Sequence, residues 1–332
     1  MMFHRISKMV TLAVMATLAI GCAATTIQVP RLKPAEVNLG QVKKVAIGAI
    51  EGDGGEDISD RLTAAIMATG KYDVLDRKNL AEIAREKQIA ASDSGAAYGP
   101  VLGAAVLIFG RVTRNSFEEK VTADQQTCLL GNREVPCTKY TRVGKHSTSV
   151  SFKVVDAASG KILATKLIDG SGSDKREVDV QEPRVTDPQA VARIIPPFED
   201  RQNFRDVAMG DVVSYFIRMI APYTIMVSVV LYEQDNQASK VGVSAAKTGD
   251  WTTAIENFKT ALKAAKTSTD LEVKARAHYN LGVALGYSGS YGDGIAEIEK
   301  ARALHSDDRF AEEIQNIKQF QADDSKLKAQ AG

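Results

Sequence analysis

Residues 150–167 read VSFKVVDAASGKILATKL, and the period of this stretch decides the class of fold. Val150, Phe152 and Val154 share one face while Ser151 and Lys153 share the other, the alternation of a half-buried strand. Residues 156–161 (DAASGK) supply a turn and Ile162 to Leu167 returns, so the stretch predicts a β-hairpin. Upstream, Val106 to Val112 (VLIFGRV), reached through Leu102-Gly103-Ala104, reads as an apolar strand, and so does Val42 to Ile50 (VKKVAIGAI). Between them lie a glycine turn (Gly52-Asp53-Gly54-Gly55) and a helix with Ile58, Leu62 and Ile66 on one face. Gly70 ends that helix, Tyr72 to Leu75 is a short strand, and Leu80, Ile83 and Ala84 place a second helix over about residues 78–90. Downstream, Phe204, Val207, Val212, Tyr215, Phe216 and Met219 form a helical stripe that stops at Ala221-Pro222. Thr224 to Tyr232 (TIMVSVVLY) is apolar on both parities, which predicts an internal strand covered on both faces. The pattern is α/β (α+β), with helices packed on a mostly antiparallel sheet.

The chain opens with MMFHRISKMVTLAVMATLAIGCAATT. A basic start, an apolar segment from Met9 to Ile20 and small residues ending in Gly21-Cys22 have the order of an export signal. Twelve residues are too few to span a bilayer comfortably. Leu18-Ala19-Ile20-Gly21-Cys22 resembles the cleavage box of bacterial lipoproteins. This resemblance implies removal of residues 1–21, lipidation of Cys22 and acyl chains as the anchor. An ordinary export signal with an incidental cysteine and a retained anchor helix are the alternatives. Residues 22–37 are expected to be a linker.

The glycine turn lacks the Gly-Lys-Ser/Thr that a phosphate loop needs, since EGDGGEDISD puts carboxylates where a lysine must reach the phosphates. The formal charge of +1, from 42 basic and 41 acidic residues, gives no electrostatic basis for nucleic-acid binding. Cys128 and Cys137 flank turn formers in TCLLGNREVPC, and in an exported chain a disulfide between them is expected. Two free thiols are the alternative. Metal binding has little footing, because two cysteines with His146 nearby make no four-ligand set. His4, His146, His278 and His305 are scattered, no serine or cysteine sits in a nucleophile elbow, and the chain is expected to be non-enzymatic and without cofactor.

Four blocks in order carry a family resemblance: VAIGAI; Tyr72 to Arg77 followed by Leu80, Ile83 and Glu86; Leu102-Gly103-Ala104 leading into VLIFGRV; and Val155-Asp156 through Ser159-Gly160-Lys161-Ile162-Leu163. Over about residues 38–232 the chain resembles the curli-secretion and holdfast-anchoring lipoproteins, the CsgG/HfaB family. The resemblance implies an outer-membrane lipoprotein whose α/β domain faces the periplasm, with ring assembly and two membrane-crossing hairpins per subunit in its best-known members. Here the candidate hairpins depart from that pattern. The arms of the first, TRNSFEEKVTADQQ and TKYTRVGKHSTS, and the second, DGSGSDKREVDVQEPRVTDPQ, have no consistently apolar face, which a membrane strand requires. A disulfide-tied loop is expected in place of a membrane hairpin.

From about residue 235 to 328 the chain turns alanine-rich and helical. Helix pairs are expected at 237–247 with 251–264 and at 271–286 with 291–304, then a cap helix at about 308–328. At an offset of 40, Gly242 aligns with Gly282, Ala254 with Gly294, Phe258 with Ile298 and Ala261 with Ala301. This pattern resembles tetratricopeptide repeats, which implies binding of peptides or partner proteins or a purely structural role. The expected function is therefore a periplasm-facing assembly, secretion or envelope-biogenesis accessory. It would contact the membrane through its lipid, have an envelope or secreted protein as partner, and allow homo-oligomers. A secretion channel and a regulator of cell-wall synthesis are the alternatives.

Overall fold

The alternating stretch 150–167 forms the junction of two neighbouring strands in a five-stranded sheet. The computed structural model describes residues 23–40, 42–75, 105–157, 159–181 and 184–331. Its elements begin with β1 (Ala23–Lys33), β2 (Lys44–Glu51), α1 (Gly55–Ala68), β3 (Asp73–Leu75), β4 (Ala105–Leu130), β5 (Arg133–Asp156) and β6 (Ile162–Val180). They continue with α2 (Pro188–Ile194), α3 (Arg201–Ile220), β7 (Tyr223–Glu233), α4 (Gln237–Lys247), α5 (Trp251–Ala265), α6 (Leu271–Tyr287), α7 (Tyr291–Leu304) and α8 (Asp308–Ala331). The helix expected at 78–90 and the Leu102-Gly103-Ala104 block lie outside the described residues, as do the export signal and Cys22.

The chain divides into two compact units, Leu32–Tyr223 with Asp324–Gly332, and Thr224–Asp323 with the residues up to Arg31. In the first, the sheet order is β3-β2-β4-β5-β6. β2 pairs in parallel with β3 and β4, while the long β4, β5 and β6 run antiparallel. Val45, Ile47, Val106, Ile108, Val150, Phe152 and Val154 bury one sheet face against Ile58, Leu62 and Ile66 of α1 and Met209, Val212 and Phe216 of α3. Phe152 and Phe216 meet with ring centroids 4.4 Å apart.

Two groups of glycines make this packing possible. Gly52 and Gly54 take φ of 97° and 80°, a left-handed conformation costly to other residues, and turn the chain from β2 into α1. Along β6, a Cβ at Gly170 or Gly172 would lie 2.0 Å from the Ala208 carbonyl oxygen or 2.2 Å from that of Phe204. Alternate glycines on a strand face one side, so here the α3 backbone rests directly on β6.

The candidate hairpins take a different form from the expected one. β4 does not stop at Val112 but continues past the end of β2 to Leu130, and its ladder with β5 is continuous from Val106↔Asp156 to Leu130↔Arg133, apart from a bulge between Val112 and Arg114. Where a disulfide-tied loop was expected, there is a hairpin arm of regular strand. The DGSGSDKREVDV stretch belongs to β6, paired with β5 as far as Val180↔Thr138.

The second unit holds a two-stranded sheet of β1 and β7 and helices α4 to α8. Residues 22–37, expected as a linker, contain β1, because Ile27 and Val29 alternate with exposed neighbours and are buried. The apolar parity of Thr224–Tyr232 predicts an internal strand. In the structure this segment is β7, paired with β1, with Met226 59% exposed on its open side. Helix starts are set locally: Asn236, Asp250 and Asp270 each accept a hydrogen bond from a first-turn amide, which satisfies a donor that has no partner within the helix.

Candidate interaction surfaces

The arm formed by β4, β5 and β6 presents two faces of different character. On one, Tyr140, Arg142, Gly144, His146 and Thr148 of β5 alternate inward and are buried. The chain after β6 covers them. The Tyr140 hydroxyl accepts from the Val185 amide at 2.6 Å, and the Arg142 Nε donates to the Ile195 carbonyl at 2.9 Å. A Cβ at Gly144 would lie 2.7 Å from the Phe198 ring, which meets Phe204 edge-on at 5.2 Å. Glu119 ties this cover down: it accepts from Arg142 at 2.9 Å and from the Phe198 amide at 3.1 Å. Burial by itself would raise the Glu119 pKa, yet the bonds from Arg142 and Phe198 hold it below the ordinary carboxylate value.

The other face stays in solvent and is polar. Lys139 pairs with Glu177 at 2.8 Å, and Lys175 pairs with the same carboxylate. Opposite charges across strands stabilise a sheet in water, but such a face cannot meet hydrocarbon cheaply. The tip carries the disulfide Cys128–Cys137, with Cα atoms 5.8 Å apart, set diagonally because Cys128 stands opposite Val135 and Cys137 opposite Gln126. Leu129 and Leu130, 74% and 56% exposed, project beside it. Asp179 lies close to both sulfurs, but a disulfide leaves no thiolate to bind a metal. Among the described residues no helix is long and apolar enough to cross a membrane.

At the base of the arm, His146 Nε2 and Asn115 Oδ1 are 2.7 Å apart, and Asn115 Nδ2 donates to Asp53 Oδ2 at 2.7 Å. Burial, with Arg205 nearby, lowers the His146 pKa. Asn115 thus links the imidazole of β5 to Asp53 of the glycine turn. His278 sits 2.7 Å from Glu297 on the neighbouring helix.

In the helical unit the aligned small residues come together in pairs. A Cβ at Gly242 would lie 2.6 Å from the Phe258 ring, and one at Gly282 would lie 2.5 Å from Ile298 and 2.7 Å from the Gly294 carbonyl oxygen. Ala254, Phe258, Ala261, Ile298 and Ala301 are buried in the same core. Sequence reading missed the residues that join the ribbon to the helices. Asn280 Oδ1 accepts from the Tyr232 amide at 2.9 Å, and its Nδ2 donates to the Tyr232 carbonyl at 2.7 Å. Arg31 of β1 stacks 4.5 Å from the Phe320 centroid and bonds the Tyr287 carbonyl and the Tyr291 hydroxyl. The only signal available was the period of Ile27, Val29 and Arg31 inside a stretch that begins directly after the export signal.

The family profile described as curli production assembly/transport component CsgG matches residues 26–238, from within β1 to the start of α4. The chain belongs to the CsgG family. Among curated proteins none matches it. Solved structures similar to it include the PelC dodecamer from Paraburkholderia phytofirmans, at 12% identity over 59% of this chain and 98% of that one, TM-score 0.23. A minor lipoprotein from Acinetobacter baumannii matches at 15% identity over 53% and 90%, TM-score 0.22. A lipoprotein from Neisseria meningitidis matches at 14% over 46% and 92%, TM-score 0.21. Membership rests on the family profile.

Proposed function

We propose that this chain is a lipid-anchored, periplasm-facing accessory of the bacterial outer membrane. In this reading it acts without catalysis, through protein–protein contacts, in envelope assembly or secretion. The observation that carries the reading is the arm of β4, β5 and β6. One of its faces is covered by residues 185–207 and the other is laddered with Lys139, Lys175 and Glu177, so neither is an apolar band of the kind a membrane strand needs. The family description, an assembly and transport component, supports the envelope setting, and Cys22 behind its export signal supports the anchor. The helical pairs, similar to tetratricopeptide repeats in their small-residue pairs, supply a protein-binding module, and the α/β unit is free to form homo-oligomers without a barrel.

The test uses the mature chain with Cys22→Ser, which cannot be acylated. It should be soluble without detergent and give no conductance steps in planar bilayers, while the native chain should incorporate a fatty-acid analogue and fractionate with membranes. Detergent-dependent solubility of the variant together with stable conductance would replace this reading with a secretion channel.

A further inference from the structure

The most completely buried helix of the second unit is α6, with Ala275, Ala277, Tyr279, Asn280, Leu281, Gly282, Val283, Ala284, Gly286 and Tyr287 all inside. Helices α7 and α8 account for part of this, through Ile298 and Ile317 against Gly282 and Gly286. Helix α5 packs beside it as well, with the Trp251 ring 5.3 Å from that of Tyr287, and the β1–β7 ribbon covers a further part. Asn280 takes both hydrogen-bonding groups of one residue, Tyr232, a contact that reads extended backbone whatever its side chain. Alongside, Ile27 and Val29 of β1 enter the apolar cluster of Val229, Leu231, Tyr279, Val283, Tyr287 and Phe320. Gln28, between them, points away and bonds Ser228. Two positions further on, the Arg31 guanidinium lies over Phe320 at 4.5 Å and Tyr287 at 5.8 Å from the ring centroids. It also donates to the Tyr287 carbonyl and the Tyr291 hydroxyl. Stacking on aromatic faces while donating in a fixed fork is specific to arginine and is not reproduced by lysine.

β1 thus sits on the helices as an extended peptide sits on a receptor: alternate residues enter pockets and the main chain pairs with a sheet edge. We propose that the cradle formed by β7 and helices α6 to α8 is a strand-binding site for extended segments of the pattern Ile-x-Val-x-Arg, occupied in cis by β1. A partner bearing such a segment binds by taking the place of β1. The tether gives β1 an effective concentration in the millimolar range, so the seated strand holds the site shut against weak competitors. The proposal rests on the reading that this chain works through protein contacts. Its test reads peptide binding rather than solubility or conductance, so its failure leaves that reading standing.

The probe is a fluorescent peptide of residues 23–33, AATTIQVPRLK, and a control peptide with alanine in place of the arginine. The receptor is the mature chain, native or carrying Ile27→Ser with Arg31→Ala to unseat its own strand. Fluorescence anisotropy should show the variant chain binding the native peptide at least about tenfold more tightly than the native chain does, since the competing occupant is removed. The control peptide should bind the variant at least about tenfold more weakly than the native peptide, having lost the arginine contacts. Equal binding of both peptides, or none, by a variant whose circular dichroism is native would overturn the proposal. Should the variant not fold, hydrogen exchange on the native chain decides: millimolar native peptide should accelerate exchange in residues 23–33 and leave α1 and α3 protected. No acceleration would sink the proposal.

Discussion

Asn280 and Tyr232 lie 48 residues apart and form a closed pair, in which the amide side chain replaces the neighbouring strand that Tyr232 lacks on that side. Both residues are almost fully buried, so the pair satisfies two backbone groups that otherwise have no access to water. Substitution Asn280→Leu keeps the branched outline of the side chain and removes both bonds. It should cost about 1–3 kcal/mol, the penalty for leaving the buried Tyr232 amide unpaired, since the Tyr232 carbonyl keeps the Ser239 hydroxyl as a donor, read as a lower midpoint in urea unfolding. A loss below about 0.5 kcal/mol would show that the pair contributes little.

Gly282 separates two opposing expectations. Alanine is the better helix former by about 1 kcal/mol, so a solvent-facing glycine would gain from Gly282→Ala. Here the added methyl would meet Ile298 at 2.5 Å and the Gly294 carbonyl oxygen at 2.7 Å. The net effect should be a destabilisation of about 1–3 kcal/mol from overpacking, and combining it with Ile298→Val should recover part of the loss. A stabilised single variant would mean that α6 and α7 are further apart than their glycines imply.

Two carboxylates of the helical unit should give stability opposite pH dependence. Asp307 is held at about 2, chiefly by its bond from Arg309, with burial opposing and the Tyr232 hydroxyl assisting. A depressed value means stability present above the unfolded pKa near 3.9 and lost as pH falls toward 2, of order 2 kcal/mol. Glu313 is shifted the other way by burial, with Asn316 opposing. Its contribution is greatest below the unfolded value and declines as pH rises through the raised one. In unfolding measured from pH 2 to 8, the acid limb should therefore be shallower in Asp307→Asn, Glu119, Asp250 and Glu297 keeping their own share of it. In Glu313→Gln the fall of stability above about pH 4.5 should flatten. Profiles identical to the native chain's would refute both assignments.

Reduction of Cys128–Cys137 should act locally. The bond closes a short loop at the arm's tip, for an entropic contribution of at most about 2–3 kcal/mol. The base of the arm is held independently by Glu119, Arg142 and Tyr140. Hydrogen exchange after mild reduction should rise in residues 125–140 and stay unchanged in residues 142–156. Exchange spreading to the β5 core would show that the disulfide supports the whole sheet.

What could be read in advance follows from how far each determinant reaches along the chain. Gly249-Asp250 and the cap at Asp270 set helix limits within a few residues, so α4 to α7 were legible from caps, glycines and period. The hairpin at 150–167 was legible because alternation and turn chemistry lie side by side. The length of β4 was not. Its outer half is charged, and a charged strand becomes regular only when residues 185–207 fold back to cover Tyr140, Arg142 and Gly144. Cys128 and Cys137 suggested a loop by their spacing, because spacing does not distinguish a loop from a ladder.

The sequence by itself determined an α/β core followed by paired helices, since hydrophobic period and capping residues act over one or two turns of chain. It also pointed to where small residues let helices approach, because Gly242 and Gly282, and Ala254 and Gly294, stand at matched positions. Only the tertiary structure decided that β7 leaves the main sheet and pairs with β1, and that a stretch expected as a linker is seated among helices. The physical reason is that alternation of apolar residues states that one face is buried and is silent about what buries it. For Ile27, Val29 and Arg31 the answer lies some 250 residues away, in Tyr287, Tyr291 and Phe320.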